Sequence, residues 1–270
     1  MPSASAADGV ELHYEEQGSG PLVVLGSYWS MHPSVYAPIA AELEGDHRVV
    51  RYDDRHAGES TPVGPYDLET AAGDLAAVIE AAGGGAVIVA QGDATNRAVR
   101  VLAERPELVT AIVANGGIPV GRRHFQGQEA LVTSENVVEA LLSQVETDYR
   151  GAIRGILSAT NPQMSPEELR DRVEKQIQYS PGAAAAPRLR AWAGDDPLEL
   201  GRAAGDRLWL LYSEGAGGGW FPTGPRAQEL IEGLLPEARH VEVSDGMVSR
   251  PDETAAVVRR ISARSGVGAE

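Results

Sequence analysis

Residues 86–105, AVIVAQGDATNRAVRVLAER, decide the fold of this chain. The first five are a fully apolar run of strand length, and residues 95–105 have the periodicity of an amphipathic helix. Gln91-Gly92-Asp93-Ala94 lies between them and must turn the chain from strand to helix. A buried strand followed at once by a helix is typical of a parallel sheet covered by helices on both faces.

The same alternation continues on both sides of this stretch. Further strands are predicted at residues 10–16, 22–26, 48–52, 108–114, 208–212 and 239–243. Further helices are predicted at residues 33–44, 67–82, 225–235 and 251–264. The sequence therefore predicts an α/β fold with a mostly parallel central sheet flanked by helices.

The alternation breaks once, between residue 117 and about residue 205. Only helical patterns occur there, at 134–147 and 165–179, followed by a stretch rich in Pro, Gly and Ala. A helical insert between two parallel strands usually lies over the carboxyl ends of the strands, where ligands bind. We expect a core domain of residues 1–116 and 206–270 and a helical cap of residues 117–205.

Composition excludes several classes of function. The 270 residues include 23 basic and 39 acidic side chains, a net charge of −16, so nucleic acid and anionic membrane surfaces are poor partners. There is no cysteine, which removes disulfides, thiolate metal sites and cysteine nucleophiles. No leader or membrane segment is evident, and we expect a cytoplasmic protein acting on a small molecule, with the oligomeric state open and a homodimer one alternative. The Arg-rich composition, with Lys175 the sole lysine, favours a bacterial source rich in G and C.

Four stretches, at residues 8–26, 47–60, 64–83 and 87–109, carry a resemblance to the α/β-hydrolase superfamily, and the resemblance extends over essentially the whole chain. One of them, HRVVRYDDRHAGES, is similar to that family's D-x-R-G-x-G-x-S loop, with Asp53, Arg55, Gly58 and Ser60 in place. The others are residues 8–26, residues 64–83 and the elbow segment, residues 87–109, which includes Pro106-Glu107 after its helix. The resemblance implies the α/β-hydrolase fold with a helical cap insert. It does not by itself imply the chemistry.

In that family the nucleophile occupies a G-x-S-x-G elbow between a strand and a helix. Counted back from Arg105-Pro106-Glu107, the resemblance places Gly92 at the nucleophile position, and glycine has no side chain with which to attack. A shift of one residue would place Asp93 there instead and give an aspartate nucleophile.

The other parts of the family's machinery also depart from the pattern. The turn after the penultimate strand offers Glu214 but no Asp, and Ser244-Asp245-Gly246-Met247 replaces the segment that carries the histidine. The H-G that shapes the oxyanion hole is matched by Ser27-Tyr28, followed by Trp29. Because a nucleophile–base–acid relay works as a unit, ordinary serine-hydrolase chemistry is not expected.

Asp93 and His56 are the candidate catalytic residues. Asp93 begins the helix after the elbow, where the alternative interpretation is a helix N-cap. His56 replaces the family's Gly in the D-x-R-G loop and could act as an acid or base near neutral pH, the alternative being a solvent-exposed loop histidine. Arg55 is expected to anchor this loop.

The candidate substrate-binding residues surround the elbow or lie in the cap. The elbow helix offers backbone N–H groups to an anionic oxygen, and the aromatic residues offer flat surfaces to a planar ligand. For the aromatics the alternative is core packing against the insert, and for Arg122 it is a solvated hinge. The set is Ser27, Tyr28, Trp29, Gln91, Gly92, Arg122, Trp192, Trp220 and Met247. No cofactor is expected, and the six scattered histidines do not indicate a metal site.

Three functions remain open from the sequence. The first is a cofactor-independent, non-hydrolytic enzyme of bacterial secondary metabolism, performing cyclisation, C–C bond formation, rearrangement or oxygenation on an aromatic or polyketide-like molecule. The resemblance adds weight to it, because divergent members of the superfamily in such pathways have left hydrolysis behind. The second is an atypical hydrolase of an epoxide, ester or C–C bond, with Asp93 as nucleophile. The third is an inactive protein that binds a small ligand.

Overall fold

An eight-stranded sheet organises the chain. A computed structural model describes residues 2–26, 28–29, 31–125, 135–161, 163–213, 225–247 and 250–266. The strand order is β1-β2-β4-β3-β5-β6-β7-β8. β1 pairs antiparallel with β2, and β2 pairs antiparallel with β4. All the other neighbouring strands, from β4 through β3 and β5 to β8, pair in parallel. The strands are β1 (Ser3–Ser5), β2 (Glu11–Gly18), β3 (Leu22–Leu25), β4 (Arg48–Tyr52), β5 (Ala86–Ala90), β6 (Val109–Asn115), β7 (Leu208–Tyr212) and β8 (Arg239–Glu242).

Helices cover both faces of the sheet. Successive residues of β3 alternate between two hydrophobic clusters, because Val24 packs with one set of helices while Val23 and Leu25 pack with the other. The helices are α1 (Ala37–Leu43), α2 (Leu68–Ala81), α3 (Asp93–Glu104), α4 (Glu135–Thr147), α5 (Tyr149–Thr160), α6 (Pro166–Tyr179), α7 (Ala185–Ala193), α8 (Leu198–Ala204), α9 (Pro225–Leu234) and α10 (Pro251–Arg264). The predicted mostly parallel sheet flanked by helices is confirmed.

The predicted elements agree with the structure except at a few ends, but α5 and α8 had not been assigned. The short strand β1 was not predicted, because three residues are too few to show a period. Residues 33–36 form a 3-10 turn before α1, and α3 begins at Asp93, two residues earlier than predicted. The earlier start places Asp93 inside the helix, which changes the role of its side chain.

The segment between β6 and β7 contains α4 to α8, which we call the helical insert. A third hydrophobic cluster joins helices α4 through α7 to Trp29 and Met31 of the loop after β3, whereas α8 packs in the first cluster. The Pro/Gly/Ala-rich stretch, which the sequence pattern left unassigned, forms α7 with Pro187 in its first turn, where proline is tolerated. No helix in the described part of the chain is both long enough and apolar enough to span a bilayer.

Candidate functional site

The elbow between β5 and α3 is formed by Gly92. Its backbone has φ +57° and ψ −134°, a conformation that L side chains rarely adopt. A Cβ atom added at Gly92 would lie 3.3 Å from Cδ2 of Tyr28, because the Tyr28 side chain fills the space beside the elbow. Tyr28 also packs against all three hydrophobic clusters. Both the torsion angles and the aromatic neighbour therefore favour glycine at this position.

Asp93 is buried in the first turn of α3, and both its carboxylate oxygens accept hydrogen bonds. Oδ1 accepts from the backbone N–H of Trp29 at 2.7 Å. Oδ2 accepts from Nε of Arg97 at 3.1 Å and also from Nη2 of Arg97. The N-cap of α3 is Gly92, which has no side chain with which to cap the helix. The N-cap interpretation of Asp93 is therefore wrong, because Gly92 is the N-cap and the Asp93 carboxylate bonds the Trp29 backbone and the Arg97 side chain.

Asp93 belongs to a buried charge cluster, which consists of Asp54, Asp93, Arg97 and Arg188. Nη1 of Arg97 donates to Oδ1 of Asp54 at 2.8 Å, so Arg97 bridges the two carboxylates. Arg188 lies farther away, with Nη1 3.3 Å from Oδ2 of Asp54 and Nε 3.7 Å from Oδ2 of Asp93. All four side chains are at most 1% exposed. The cluster joins the end of β4, the first turns of α3, and α7 of the helical insert.

The two carboxylates and two guanidinium groups of the cluster balance in charge. Burial alone would raise the pKa of Asp54, but the nearby charges of Arg188 and Arg97 outweigh it and hold that pKa well below its usual range. Removing one member would leave an uncompensated charge in the protein interior, which is far more costly than losing a surface pair. The cluster therefore fixes the position of α7 relative to the elbow.

His56 lies next to this cluster in the loop after β4. It is 5% exposed and has φ +76°, the left-handed conformation expected of the glycine that it replaces. Its ring meets Tyr66 edge-on at 4.9 Å. Burial lowers the pKa of His56 to about 4, so the imidazole is neutral at pH 7. The interpretation of His56 as a solvent-exposed loop residue is wrong.

Arg55, the neighbour of His56, is the anchor of this loop. Its guanidinium bonds Asp74 at 2.6 Å through both Nε and Nη2, and Asp8 at 2.9 Å through Nη1. Asp74 lies in α2 and is buried. The predicted anchoring role of Arg55 is confirmed.

The two aromatic residues after β3 hold the elbow against the helical insert. Nε1 of Trp29 donates to the backbone carbonyl of Ala185 in α7 at 2.9 Å, and the Trp29 ring is buried in the third hydrophobic cluster. Burial, reinforced by the negative charge of Asp93, raises the pKa of Tyr28 to about 12. The Tyr28 phenol therefore stays protonated at neutral pH. These contacts are the packing role given above as the alternative to ligand binding.

Comparisons with known proteins agree with this architecture. Over 171 residues the chain is 28% identical to 2-(acetamidomethylene)succinate hydrolase of Mesorhizobium japonicum, covering 63% of this chain and 59% of that protein. Over 77 residues it is 35% identical to non-heme chloroperoxidase CPO-A1 of Kitasatospora aureofaciens, covering 28% of each. An esterase from Exiguobacterium antarcticum superposes with a TM-score of 0.77 at 16% identity, covering 96% of this chain and 98% of the esterase. The present chain is therefore an α/β-hydrolase-fold protein.

No family model matches the chain, and the sequence matches span 59% and 28% of the two relatives' lengths. The superfamily resemblance read from the sequence is confirmed, as is the α/β-hydrolase fold.

Within the α/β-hydrolase fold, the structure brings four of the predicted residues together at the elbow: Tyr28, Trp29, Gly92 and Asp93. Gln91 is partly buried beside them, and its backbone carbonyl accepts from the N–H of Ala94. Ser27 and Trp220 lie outside the described residues, as does Glu214.

The remaining predicted residues have separate surroundings. Met247 is buried in the cluster that packs α1 and α10 on the sheet, and Trp192 is partly buried against the insert cluster. Arg122 begins a 3-10 turn whose next two residues, Arg123 and His124, pair with Asp196 at 2.5 and 2.9 Å. The turn thus fastens the start of the helical insert to its end.

All six histidines lie in the described part of the α/β-hydrolase-fold chain. His240, the last of them, has its ring in hydrogen bonds to Tyr212 Oη at 2.9 Å and to the Leu235 carbonyl at 3.0 Å. His47 bonds Asp46 and Ser262 on the side of the sheet where α10 packs. Both imidazoles are held in structural contacts away from the elbow.

Sequence reasoning missed Arg97 and Arg188 and gave Asp54 no role. The spacing of Asp93 and Arg97 by four residues on one helix predicts an ion pair, but it cannot predict that the pair is buried. Arg188 carries no signal of its own, because it lies in a stretch of low complexity and reaches the site only through the path of the insert.

Proposed function

We propose that this protein is a cytoplasmic enzyme that acts on a small molecule and has lost the nucleophile–base–acid relay of its superfamily. In this proposal it performs non-hydrolytic, cofactor-independent chemistry on a planar aromatic or polyketide-like metabolite of bacterial secondary metabolism. Cyclisation, C–C bond formation, rearrangement and oxygenation are the candidate reactions. Residues 117–205 form the helical cap of this enzyme.

A single observation carries the proposal, namely Gly92 at the strand-to-helix elbow with Tyr28 against it. The glycine has the left-handed φ angle that the turn requires, and a Cβ atom would lie 3.3 Å from the Tyr28 ring. A Cβ atom at this place would be in tight contact with the Tyr28 ring, and glycine itself has no side chain with which to attack. In this proposal the elbow residue therefore supplies no nucleophile.

The hydrogen bonds of Asp93 support the same proposal over an aspartate nucleophile. A carboxylate nucleophile needs one oxygen directed at the substrate, whereas both oxygens of Asp93 accept bonds from Trp29 and Arg97. The Trp29 N–H belongs to the loop that shapes the oxyanion hole in this fold, so the Asp93 carboxylate occupies a donor that a hydrolase would offer to its substrate. Asp93 is instead suited to orient Arg97 and Trp29.

Turnover of candidate substrates in ¹⁸O-labelled water tests the proposed function. The candidates are aromatic and polyketide-like products of neighbouring biosynthetic genes. We expect a product that has not gained the mass of water, no label in the protein, and slower turnover in Asp93→Asn and His56→Ala. The exposed Asp206→Asn substitution serves as the matched control and should leave turnover unchanged.

Each other outcome supports a different function. Label incorporated into Asp93 would establish the aspartate-dependent hydrolase. Tight retention of a candidate molecule with no turnover would establish a binding protein. Unchanged turnover in both Asp93→Asn and His56→Ala would show that neither residue takes part in the chemistry.

A further inference from the structure

Arg188 is the member of the buried charge cluster whose hydrogen bonding is incomplete. Its side chain is 1% exposed, yet within the described part of the chain neither Nε nor Nη2 has a hydrogen-bond partner. The 3.7 Å from Nε to Oδ2 of Asp93 is too long for a hydrogen bond. Arg97, in the same cluster, uses Nε, Nη1 and Nη2 on the two carboxylates. Arg188 is therefore the cation of the cluster that keeps two N–H-bearing nitrogens, Nε and Nη2, without an acceptor.

Buried N–H groups of a cation are costly to leave without an acceptor. A buried donor without a partner loses its hydrogen bonds to water and gains none in return, and the loss is larger when the donor belongs to a charged group. Nε and Nη2 form one edge of the planar guanidinium, the edge that pairs side-on with a carboxylate or with a single anionic oxygen. The edge that Arg188 leaves open is thus shaped for an oxygen anion.

The place of Arg188 connects this open edge to the elbow. Arg188 is carried by α7, and the carbonyl of Ala185 in the same helix accepts from Trp29 beside the elbow. The other groups that Arg188 approaches, Asp54 and Asp93, follow the carboxyl ends of β4 and β5, where ligands bind in parallel α/β sheets.

We infer that Arg188 binds an anionic oxygen of the ligand, through Nε and Nη2, at the carboxyl edge of the sheet. The oxygen belongs to a carboxylate or to an enolate or phenolate. This inference rests on the proposed function for the position of the site, and it specifies the class of substrate. A contact of this kind stabilises a ligand that carries its negative charge on oxygen.

Two pairs of small probes distinguish the two sources of the anionic oxygen. Benzoate and benzamide form the carboxylate pair, and 4-nitrophenol and 4-nitroanisole form the phenolate pair. Binding is measured by calorimetry for the first pair. For the second, absorbance reports whether 4-nitrophenol is bound as phenolate at a pH where the free phenol is neutral. The proteins are the full chain, Arg188→Lys, and Arg190→Lys, an exposed arginine on the same helix that pairs with Glu146.

Lysine at position 188 keeps the positive charge that the cluster needs but removes the planar edge, so the variant should remain folded. We expect the wild type to prefer benzoate to benzamide, or to bind 4-nitrophenol as the phenolate. Arg188→Lys should weaken binding of the preferred anion by about tenfold or more, and Arg190→Lys should change this affinity by less than about twofold. The thermal unfolding midpoint checks that both variants are folded.

The inference is overturned if Arg188→Lys binds the preferred anion as tightly as the wild type. It is also overturned if the wild type binds anion and neutral partner equally, or binds none of the four probes. The proposed function is judged separately. Water incorporated into a product would refute the proposed function without refuting anion binding at Arg188. Absence of anion binding at Arg188 would refute the inference without refuting the proposed non-hydrolytic function.

Discussion

At the scale of single residues, Gly92 and Tyr28 depend on each other. The left-handed φ angle of Gly92 excludes most side chains, and the Tyr28 ring takes the space that a side chain on Gly92 would enter. The phenol contributes apolar packing and remains protonated, because burial raises its pKa to about 12. The elbow is thus a packed feature of the fold.

Alanine at Gly92 should lower the free energy of unfolding by about 1–3 kcal/mol, because the residue would keep φ +57° against the Tyr28 ring. The matched control is Gly73→Ala in α2, an exposed position where a Cβ atom meets nothing within 4 Å. That substitution should raise stability by about 0.4–1 kcal/mol. Urea titrations measure both, and equal effects would show that the elbow does not require glycine.

The buried charge cluster gives a second prediction at this scale. Arg97→Met leaves Asp54 and Asp93 without their closest cation and should cost about 3–5 kcal/mol of stability. Arg105→Met, which removes a half-exposed arginine paired with Glu80 and Glu107, should cost at most about 1 kcal/mol. The midpoint and slope of urea unfolding provide the measurement. A cost for Arg97→Met as small as that of the control would contradict the assigned role of the cluster.

His56 predicts how stability depends on pH. Its pKa falls from the ordinary histidine value of 6.5 to about 4 on folding, so the unfolded chain binds a proton in this range that the folded chain does not. The stabilisation is present above pH 6.5 and is lost as the pH falls toward 4, amounting to about 3 kcal/mol. His56→Asn, which also tolerates the left-handed backbone, should remove this part of the slope. Unfolding titrations of the wild type and His56→Asn at several pH values measure how the free energy of unfolding depends on pH. The same pH dependence in both proteins would contradict the prediction.

At the scale of elements, polar bonds at three places fasten the helical insert to the core. Asp195 accepts from Arg100 at 2.6 Å and from Asn96 at 2.7 Å on α3. Tyr179, at the end of α6, donates to Asp53 at 2.9 Å, and Trp29 donates to Ala185 on α7. These bonds accompany the buried cluster and fix the insert close to the elbow.

Asp195→Ala should therefore loosen the insert without unfolding the sheet. We expect backbone amides of α7 and α8 to exchange with deuterium about tenfold faster or more, while those of β5 and β6 keep their protection, because local opening costs less than global unfolding. Asp206→Ala, which removes an exposed partner of Arg239, is the control and should leave exchange unchanged. Uniformly faster exchange in all four elements would show that Asp195 stabilises the whole fold and not the insert.

The elements could be predicted from the sequence where a period or a cap marks them. β4, β5, β7 and α10 agree residue for residue, because apolar runs and an opening proline define their ends. The start of α6 follows from Ser165, which forms a capping box with Glu168. The start of α3 was predicted two residues too late, because a glycine N-cap gives no side-chain signal.

At the scale of the whole molecule, the site combines segments that are far apart in the sequence. Gly92, Tyr28 and Asp93 could be placed near the elbow from the family's pattern, but Arg188 is brought there only by the packing of the insert. Burial of two arginines and two aspartates is also invisible in an acidic chain with a net charge of −16, since nothing in the composition separates paired buried charges from solvated ones. This part of the site is formed by ion pairs between residues that are far apart in the sequence, and a sequence pattern does not show such pairs.

Reaction with a fluorophosphonate probe, followed by intact mass and peptide mapping, tests most directly whether the relay has been lost. The probe modifies serines that a base has activated, and a serine esterase of the same fold treated in parallel shows that the reagent is active. For this protein we predict an unchanged mass, because glycine occupies the elbow and Asp93 is held by Trp29 and Arg97. One adduct per chain, mapped to a single serine, would contradict that prediction and establish a functioning serine hydrolase.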